Sequence, residues 1–234
     1  MLAGMLPWWR KLLYSLAKGV MWAGAKLMFR LRAEGIKHIP LQGSLLIASN
    51  HVSHLDPPLV GLTVPRYVFH MAKRELFRVP WLLASMRILG TIMVDRGRGQ
   101  QALIDAREYL NHGECIVIFP EGTRSKDGIL GRGRTGAIVL AIQSGCPVLP
   151  CAIIGSEQAM SKGSHRMKLL PVVVRFGEPY VIEYEGDREQ VPREVLQREV
   201  YRLMERIEAL LPAKMHPTLA AKRKWYGALL DEQP

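Results

Sequence analysis

Residues 44–58 read SLLIASNHVSHLDPP. SLLIAS is an apolar run of strand length. Pro57 and Pro58 stand where the first turn of a helix tolerates proline, because the amide N–H groups there have no partner within the helix to lose. Between strand and helix, NHVSHLD places two histidines, a serine and an aspartate in a loop. A strand that is apolar throughout, rather than alternating, is one covered on both faces, as in a parallel sheet with helices on either side. The stretch therefore sets the expected fold class: strand, polar loop and helix in immediate succession.

The same succession continues outward. YVFHMA (67–72), TIMV (91–94), CIVIF (115–119), VLPCAII (148–154) and PVVVRF (171–176) read as strands. Helices are expected over residues 76–88, 99–113, 135–145 and 192–211, the last strongly amphipathic, with Gly113 and Gly145 as C-terminal stops. This pattern predicts an α/β domain with a mixed, partly parallel central sheet flanked by helices. The chain divides into an N-terminal helical segment (1–32), a main domain (33–212) and a basic C-terminal tail (213–234) that contains Lys222, Arg223, Lys224, Trp225 and Tyr226. At 234 residues and 48% hydrophobic, it is long enough to bury one sizeable core.

Lys and Arg total 32 against 21 Asp and Glu, a net charge of +11. Such a surface attracts anions: acidic lipid, phosphorylated substrates or nucleic acid. The three cysteines, Cys115, Cys146 and Cys151, are odd in number and irregularly spaced, which argues against a disulfide framework. Two of them lie in strand-like runs and read as small core residues of a protein in a reducing compartment. Residues 8–29, WWRKLLYSLAKGVMWAGAKLMF, are too often interrupted by charge to form a simple membrane span. On a helix, Lys11, Ser15, Lys18 and Lys26 fall toward one side, while Leu12, Leu13, Leu16, Val20, Trp22, Ala23, Leu27 and Phe29 cover much of the rest. This is the pattern of a basic amphipathic helix lying in a membrane interface.

In open α/β sheets, chemistry gathers beyond the C-terminal ends of the strands. Three loops at such ends carry reactive residues: NHVSHLD, DRGR after TIMV, and PEGTRS after CIVIF. His51 with Asp56 can form a general base whose carboxylate fixes the imidazole tautomer. The same residues also allow a helix N-cap by Asp56, or a metal site that adds His54. Gly122 permits close backbone approach, and Arg124 offers a planar fork for phosphate. Glu121 can accept from a substrate hydroxyl or hold Arg124. Arg96 and Lys73 add positive charge. GRGRTG (131–136) matches a dinucleotide-binding pattern but lacks the strand that should immediately precede it, and reads better as a basic loop capping an anionic ligand.

Four segments, in order, resemble the 1-acylglycerol-3-phosphate acyltransferases among the glycerolipid acyltransferases. They are the NHxxxxD of Asn50 to Asp56, the Gly90 to Arg96 segment, the FPEGTRS of Phe119 to Ser125, and the proline-bearing strand Val148 to Pro150. The resemblance covers roughly residues 34–185. It implies that His51 deprotonates an acceptor hydroxyl and Asp56 orients His51. Glu121, Gly122, Thr123 and Arg124 would bind a glycerol phosphate, with Arg96 and Lys73 adding contacts. It implies transfer of an acyl chain from an acyl-coenzyme A or acyl carrier protein thioester to the sn-2 hydroxyl of lysophosphatidic acid. No metal and no other cofactor are expected. The setting would be the cytoplasmic face of the cell membrane, with an anionic lipid surface as partner and no nucleic acid. One departure is that GRTG (133–136) stands where the family often has a Phe-Lys-x-Gly stretch. The alternatives are another acceptor, glycerol 3-phosphate or a different lysolipid, and a non-enzymatic anion- or membrane-binding module.

Overall fold

The computed structural model describes residues 8–73, 91–94, 99–160 and 167–230. Seven strands form one sheet: β1 (Arg32–Glu34), β2 (Leu45–Ser49), β3 (Phe69–Lys73), β4 (Thr91–Val94), β5 (Cys115–Ile118), β6 (Val148–Ile154) and β7 (Val173–Phe176). Their order is β1-β7-β6-β2-β5-β3-β4. Strands β2 to β6 run parallel, β7 is antiparallel to β6, and β1 is parallel to β7. The mixed, mostly parallel sheet is the one expected. β2 lies at its centre, and its burial is complete from Leu45 to Ser49 because both neighbours and both faces are covered.

The faces sort by residue parity, as the pleat requires. Leu45, Ile47, Cys115, Val117, Cys151 and Ile153 face one layer, built from α1 (Trp8–Phe29) and α2 (Asp56–Thr63). Leu46, Ala48, Ile116 and Ala152 face the other, built from α3 (Gly99–Asn111), α4 (Gly136–Ser144) and α6 (Arg193–Glu208). A single turn of helix, α5 (Ser156–Ala159), follows β6. The three cysteines are free and buried; burial pushes the Cys115 and Cys151 thiols up to about 12, which makes them packing groups rather than nucleophiles.

Two segments differ from the reading of the sequence. Residues 213–230 of the basic C-terminal tail are structured and pack on the main domain. A 3₁₀ turn (Ala213–Met215) and α7 (Leu219–Leu230) pack on α6, and Met215 and Tyr226 enter the core. In α1, the inward side is Tyr14, Met21, Ala25 and Phe29, while Leu12, Leu16, Val20 and Leu27 are exposed. Lys18, expected on the outer basic side, turns inward and Phe29 is buried. The Lys18 ammonium donates to the carbonyls of Val64 and Arg66, just past the end of α2, where helix carbonyls lack partners of their own. Burial lowers the Lys18 pKa to about 8. No helix of the described residues is long and apolar enough to cross a membrane. The expected helix at 76–88 lies outside the described residues.

Candidate active site

β2 ends at Ser49, and Asn50 continues its pairing with a side chain in place of backbone. Asn50 Nδ2 donates to the carbonyl of Ile153 (3.0 Å), and Oδ1 accepts from the Ile153 N–H (2.7 Å). This clamp releases the chain into the loop at a fixed angle. The His51 ring stacks on Phe119 with centroids 4.2 Å apart.

The loop then turns back on Asp56. His51 Nδ1 lies 2.8 Å from Asp56 Oδ2, and the same oxygen accepts from the N–H groups of Val52 and Ser53, both at 2.7 Å. Oδ1 accepts from Ser156 Oγ at 2.6 Å. Asp56 is fully buried, and so is Ser156. A buried carboxylate without partners would be strongly disfavoured; four donors make this one tenable. The backbone N–H groups that donate to Asp56, those of Val52 and Ser53, precede it in the chain, so it is not the helix cap: the N-cap residue of α2 is Leu55. Nor are its oxygens open to an ion, since donors occupy both, and the third residue of the metal reading, His54, is exposed. Among the described residues no group of three or more His, Cys, Asp and Glu is placed to hold a metal. Because Nδ1 carries the proton given to Asp56, Nε2 is left as the basic nitrogen.

Ser156 was not legible as a site residue. It reaches Asp56 because Gly155 takes a left-handed φ of +93°, where a Cβ would sit 2.3 Å from the Pro171 carbonyl oxygen. The only signal in the sequence was a glycine directly after an apolar strand.

The PEGTRS turn lies underneath. Glu121 is buried, with Oε1 accepting from the His51 N–H and Oε2 from the Gly131 N–H, both at 2.8 Å. Ser125 N–H in turn donates to the His51 carbonyl at 2.7 Å. Burial pushes the Glu121 carboxyl up to about 7; the two backbone donors pull the other way, and the Asp56 and Asp127 charges add to the rise. Gly122 has φ +68°, and a Cβ there would meet Arg134 Nε at 2.8 Å. The Arg134 side chain therefore lies over this turn, and its backbone N–H donates to the Pro120 carbonyl at 2.8 Å. Thr123 and Arg124 line a cavity of about 1010 Å³ that opens beside the turn. Burial lowers the Arg124 pKa, and the nearby Asp56 charge opposes that shift.

The structure thus brings together His51, Asp56, Glu121, Gly122, Thr123 and Arg124. Lys73 closes β3 at the same end of the sheet, its backbone paired with Val94, but its side chain lies outside the description. Arg96 is also outside the described residues.

A family model described as Acyltransferase matches residues 30–154, which span β1 to β6 with the NHVSHLD and PEGTRS loops and stop just before Gly155 and Ser156. The chain belongs to the acyltransferase family. The chain is 30% identical over 164 residues to the 1-acyl-sn-glycerol-3-phosphate acyltransferase LPAT1, chloroplastic, of Arabidopsis thaliana, an overlap of 68% of this chain and 45% of the relative. It is 28% identical over 143 residues to the 1-acyl-sn-glycerol-3-phosphate acyltransferase of Borreliella burgdorferi, covering 60% of this chain and 56% of that one. The chain spans about half the length of these curated relatives. The crystal structure of the 1-acyl-sn-glycerophosphate acyltransferase PlsC from Thermotoga maritima superposes with a TM-score of 0.69 at 28% identity, over 86% of this chain and 80% of that one. The resemblance read from four segments is borne out, and beyond the family match the chain adds α5, β7, α6 and α7.

Proposed function

We propose that this acyltransferase moves an acyl chain from a thioester to the sn-2 hydroxyl of lysophosphatidic acid, giving phosphatidic acid, with His51 and Asp56 as a general-base pair. The observation that carries this reading is the fully buried Asp56 carboxylate bonded at 2.8 Å to Nδ1 of a partly exposed His51. Nε2 takes the proton of the acceptor hydroxyl as its oxygen attacks the thioester carbon. The tetrahedral oxyanion collapses, the C–S bond breaks, and the imidazolium returns the proton to the leaving thiolate. Asp56 stabilises the imidazolium between these two events. Glu121 and Ser125 hold the His51 backbone. Thr123 and Arg124 receive the acceptor phosphate, with Lys73 and Arg96 as further cationic contacts, and Gly122 lets the chain pass close to it. The relatives named for this same reaction support the choice of acceptor.

The exposed apolar side of α1, with Lys26 above the Trp22 ring at 4.8 Å, docks the protein on the cytoplasmic face of the membrane without spanning it. A lysolipid then enters and a two-chain lipid leaves without crossing water. The test is acyl transfer in lipid vesicles, using labelled lysophosphatidic acid and an oleoyl thioester, with wild type and His51→Ala compared. Phosphatidic acid from wild type and almost none from a folded variant is the expected result. Full activity in His51→Ala would overturn the mechanism, and free fatty acid released without acceptor would mark a hydrolase instead.

A further inference from the structure

The cavity beside the PEGTRS turn is larger than a glycerol phosphate needs. Its volume of about 1010 Å³ is at the upper end of sites that hold whole drug-sized ligands. Part of its lining comes from α6 and α7, which lie outside the family match and contribute Arg193, Gln197 and Trp225; Arg132 joins them from the loop before α4. Arg132 and Arg193 are exposed, and among the described residues neither has an acidic partner. The carboxylates lining the cavity are already engaged. Glu121 accepts two backbone N–H groups, and Asp127 accepts from Ser125 Oγ at 2.9 Å and the Ile129 N–H at 3.1 Å. Guanidiniums without an acidic partner on one cavity wall, together with Arg124 and Arg134 on the same lining, make the cavity attractive to an anionic ligand.

The fold gives that occupant an approach direction. α6 and α7 pack on the sheet face opposite to α1, the helix that presents an apolar side to the lipid. With α1 on the membrane as proposed above, a ligand approaching the cavity from the α6 and α7 side comes from water rather than from the bilayer. Trp225 is half-buried, edge-on to Tyr226 at 6.3 Å, and offers aromatic surface on which a base can stack.

We propose that this outer part of the cavity, formed by Arg132, Arg193, Gln197 and Trp225, binds the phosphorylated nucleotide end of a coenzyme A thioester, so that donor and acceptor load from opposite faces of the sheet. The proposal rests on the transferase reading above. The inner part, at Thr123, Arg124 and Arg134, remains for the acceptor phosphate. A concave site with one aromatic edge suits a nucleotide better than the convex surface of a carrier protein.

The test begins with binding alone, which needs no turnover: calorimetric titration of the full chain with coenzyme A, at low and high salt. Saturable, salt-sensitive binding is expected. Arg132→Glu with Arg193→Glu should weaken it about a hundredfold, roughly tenfold for each charge, and Trp225→Ala should weaken it further. Lys37→Glu, an exposed lysine on the 3₁₀ turn after β1 (Ile36–His38), tests for a general charge effect and should leave binding unaltered. In turnover, the double variant should raise KM for oleoyl-coenzyme A and leave KM for lysophosphatidic acid in place. With oleoyl-pantetheine, which lacks the nucleotide, it should match wild type. The proposal falls if wild type does not bind coenzyme A, if the double variant binds it equally well, if the change appears in the acceptor KM, or if only the acyl carrier protein thioester is used and coenzyme A does not compete. If binding depends on the arginines but no acyl chain is transferred, the site stands and the reaction reading fails.

Discussion

Replacing Asp56 with asparagine separates charge from geometry at the dyad. The amide oxygen of the new side chain has a defined place. The N–H groups of Val52 and Ser53, both 2.7 Å from Oδ2, demand an acceptor, so the oxygen stays on their side and the NH₂ turns toward Ser156. The Ser156 hydroxyl can accept from it. The His51 Nδ1–H keeps a partner and the ring keeps its tautomer. What disappears is the negative charge opposite the imidazolium. With charge centres ~4 Å apart and an effective dielectric constant of ~20, that charge contributes about 4 kcal/mol, or roughly a thousandfold in rate. Folding should suffer far less: the Ser156 hydroxyl loses its acceptor, a cost of about 1–2 kcal/mol. The assay pairs acyl transfer in vesicles with thermal unfolding of the same preparation. Asp56→Asn should unfold within a few degrees of wild type while kcat falls by about three orders of magnitude. Activity within tenfold of wild type would refute the general-base assignment. Asp56→Ala is a poorer experiment, because it strands buried donors and confounds unfolding with catalysis.

Further outcomes follow from the neighbouring site contacts and from the exposed side of α1. Ser156→Ala removes one donor from Asp56 and should lower kcat about tenfold with KM unchanged, whereas Ser156→Thr should recover most of the loss; a purely structural role would lower stability without that split. Glu121→Gln presents an NH₂ to one of two backbone N–H groups and should destabilise by about 2 kcal/mol. The pH dependence gives a second signature at this residue. Its carboxyl is raised from 4.5 to about 7, so the folded state holds the proton more tightly than the unfolded chain, and this contribution to stability fades as pH rises from near 4.5 through 7. Wild type should therefore show a falling slope of at most ~1.4 kcal/mol per pH unit across that window, and Glu121→Gln should lack it in denaturant titrations. Leu16 and Val20 are 59% and 74% exposed, so replacing both with Asp should leave the melting temperature in place and reduce sedimentation with anionic vesicles at least tenfold.

What the sequence revealed and what it hid divide along a physical line. β6 was legible to the residue, Val148–Ile154, because continuous apolar runs occur where both faces of a strand are covered. The loop partners His51 and Asp56 were legible because they are close in sequence and of unmistakable chemistry. β1 was not: Arg-Ala-Glu has no apolar run, and as an edge strand its Arg32 and Glu34 are exposed, so only its pairing with β7 defines it. Ser156 was hidden for the opposite reason. Its contact with Asp56 spans 100 residues and depends on a left-handed glycine, and a lone buried serine has no pattern. Lys18 shows the limit of periodicity itself. A helical wheel places it by angle alone, yet its direction is decided by two carbonyls near the end of another helix that attract its ammonium inward.

That contact also joins the two ends of the proposed mechanism. α1 presents Leu16 and Val20 outward, and Lys18 between them is fixed to the carbonyls at the far end of α2. α2 begins with Asp56, so the helix proposed to rest on lipid and the carboxylate that orients His51 are linked through about two turns of helix rather than through a flexible linker. Under the proposed function, lysophosphatidic acid held in the membrane would thereby meet Nε2 at a height set by packing. Replacing Lys18 with Met keeps the stem and removes the donor. The melting temperature should fall modestly, and the loss of transfer should be greater on vesicles than in detergent micelles, where no bilayer plane fixes that height. Equal losses in both would mean that α1 only anchors the enzyme and does not align it.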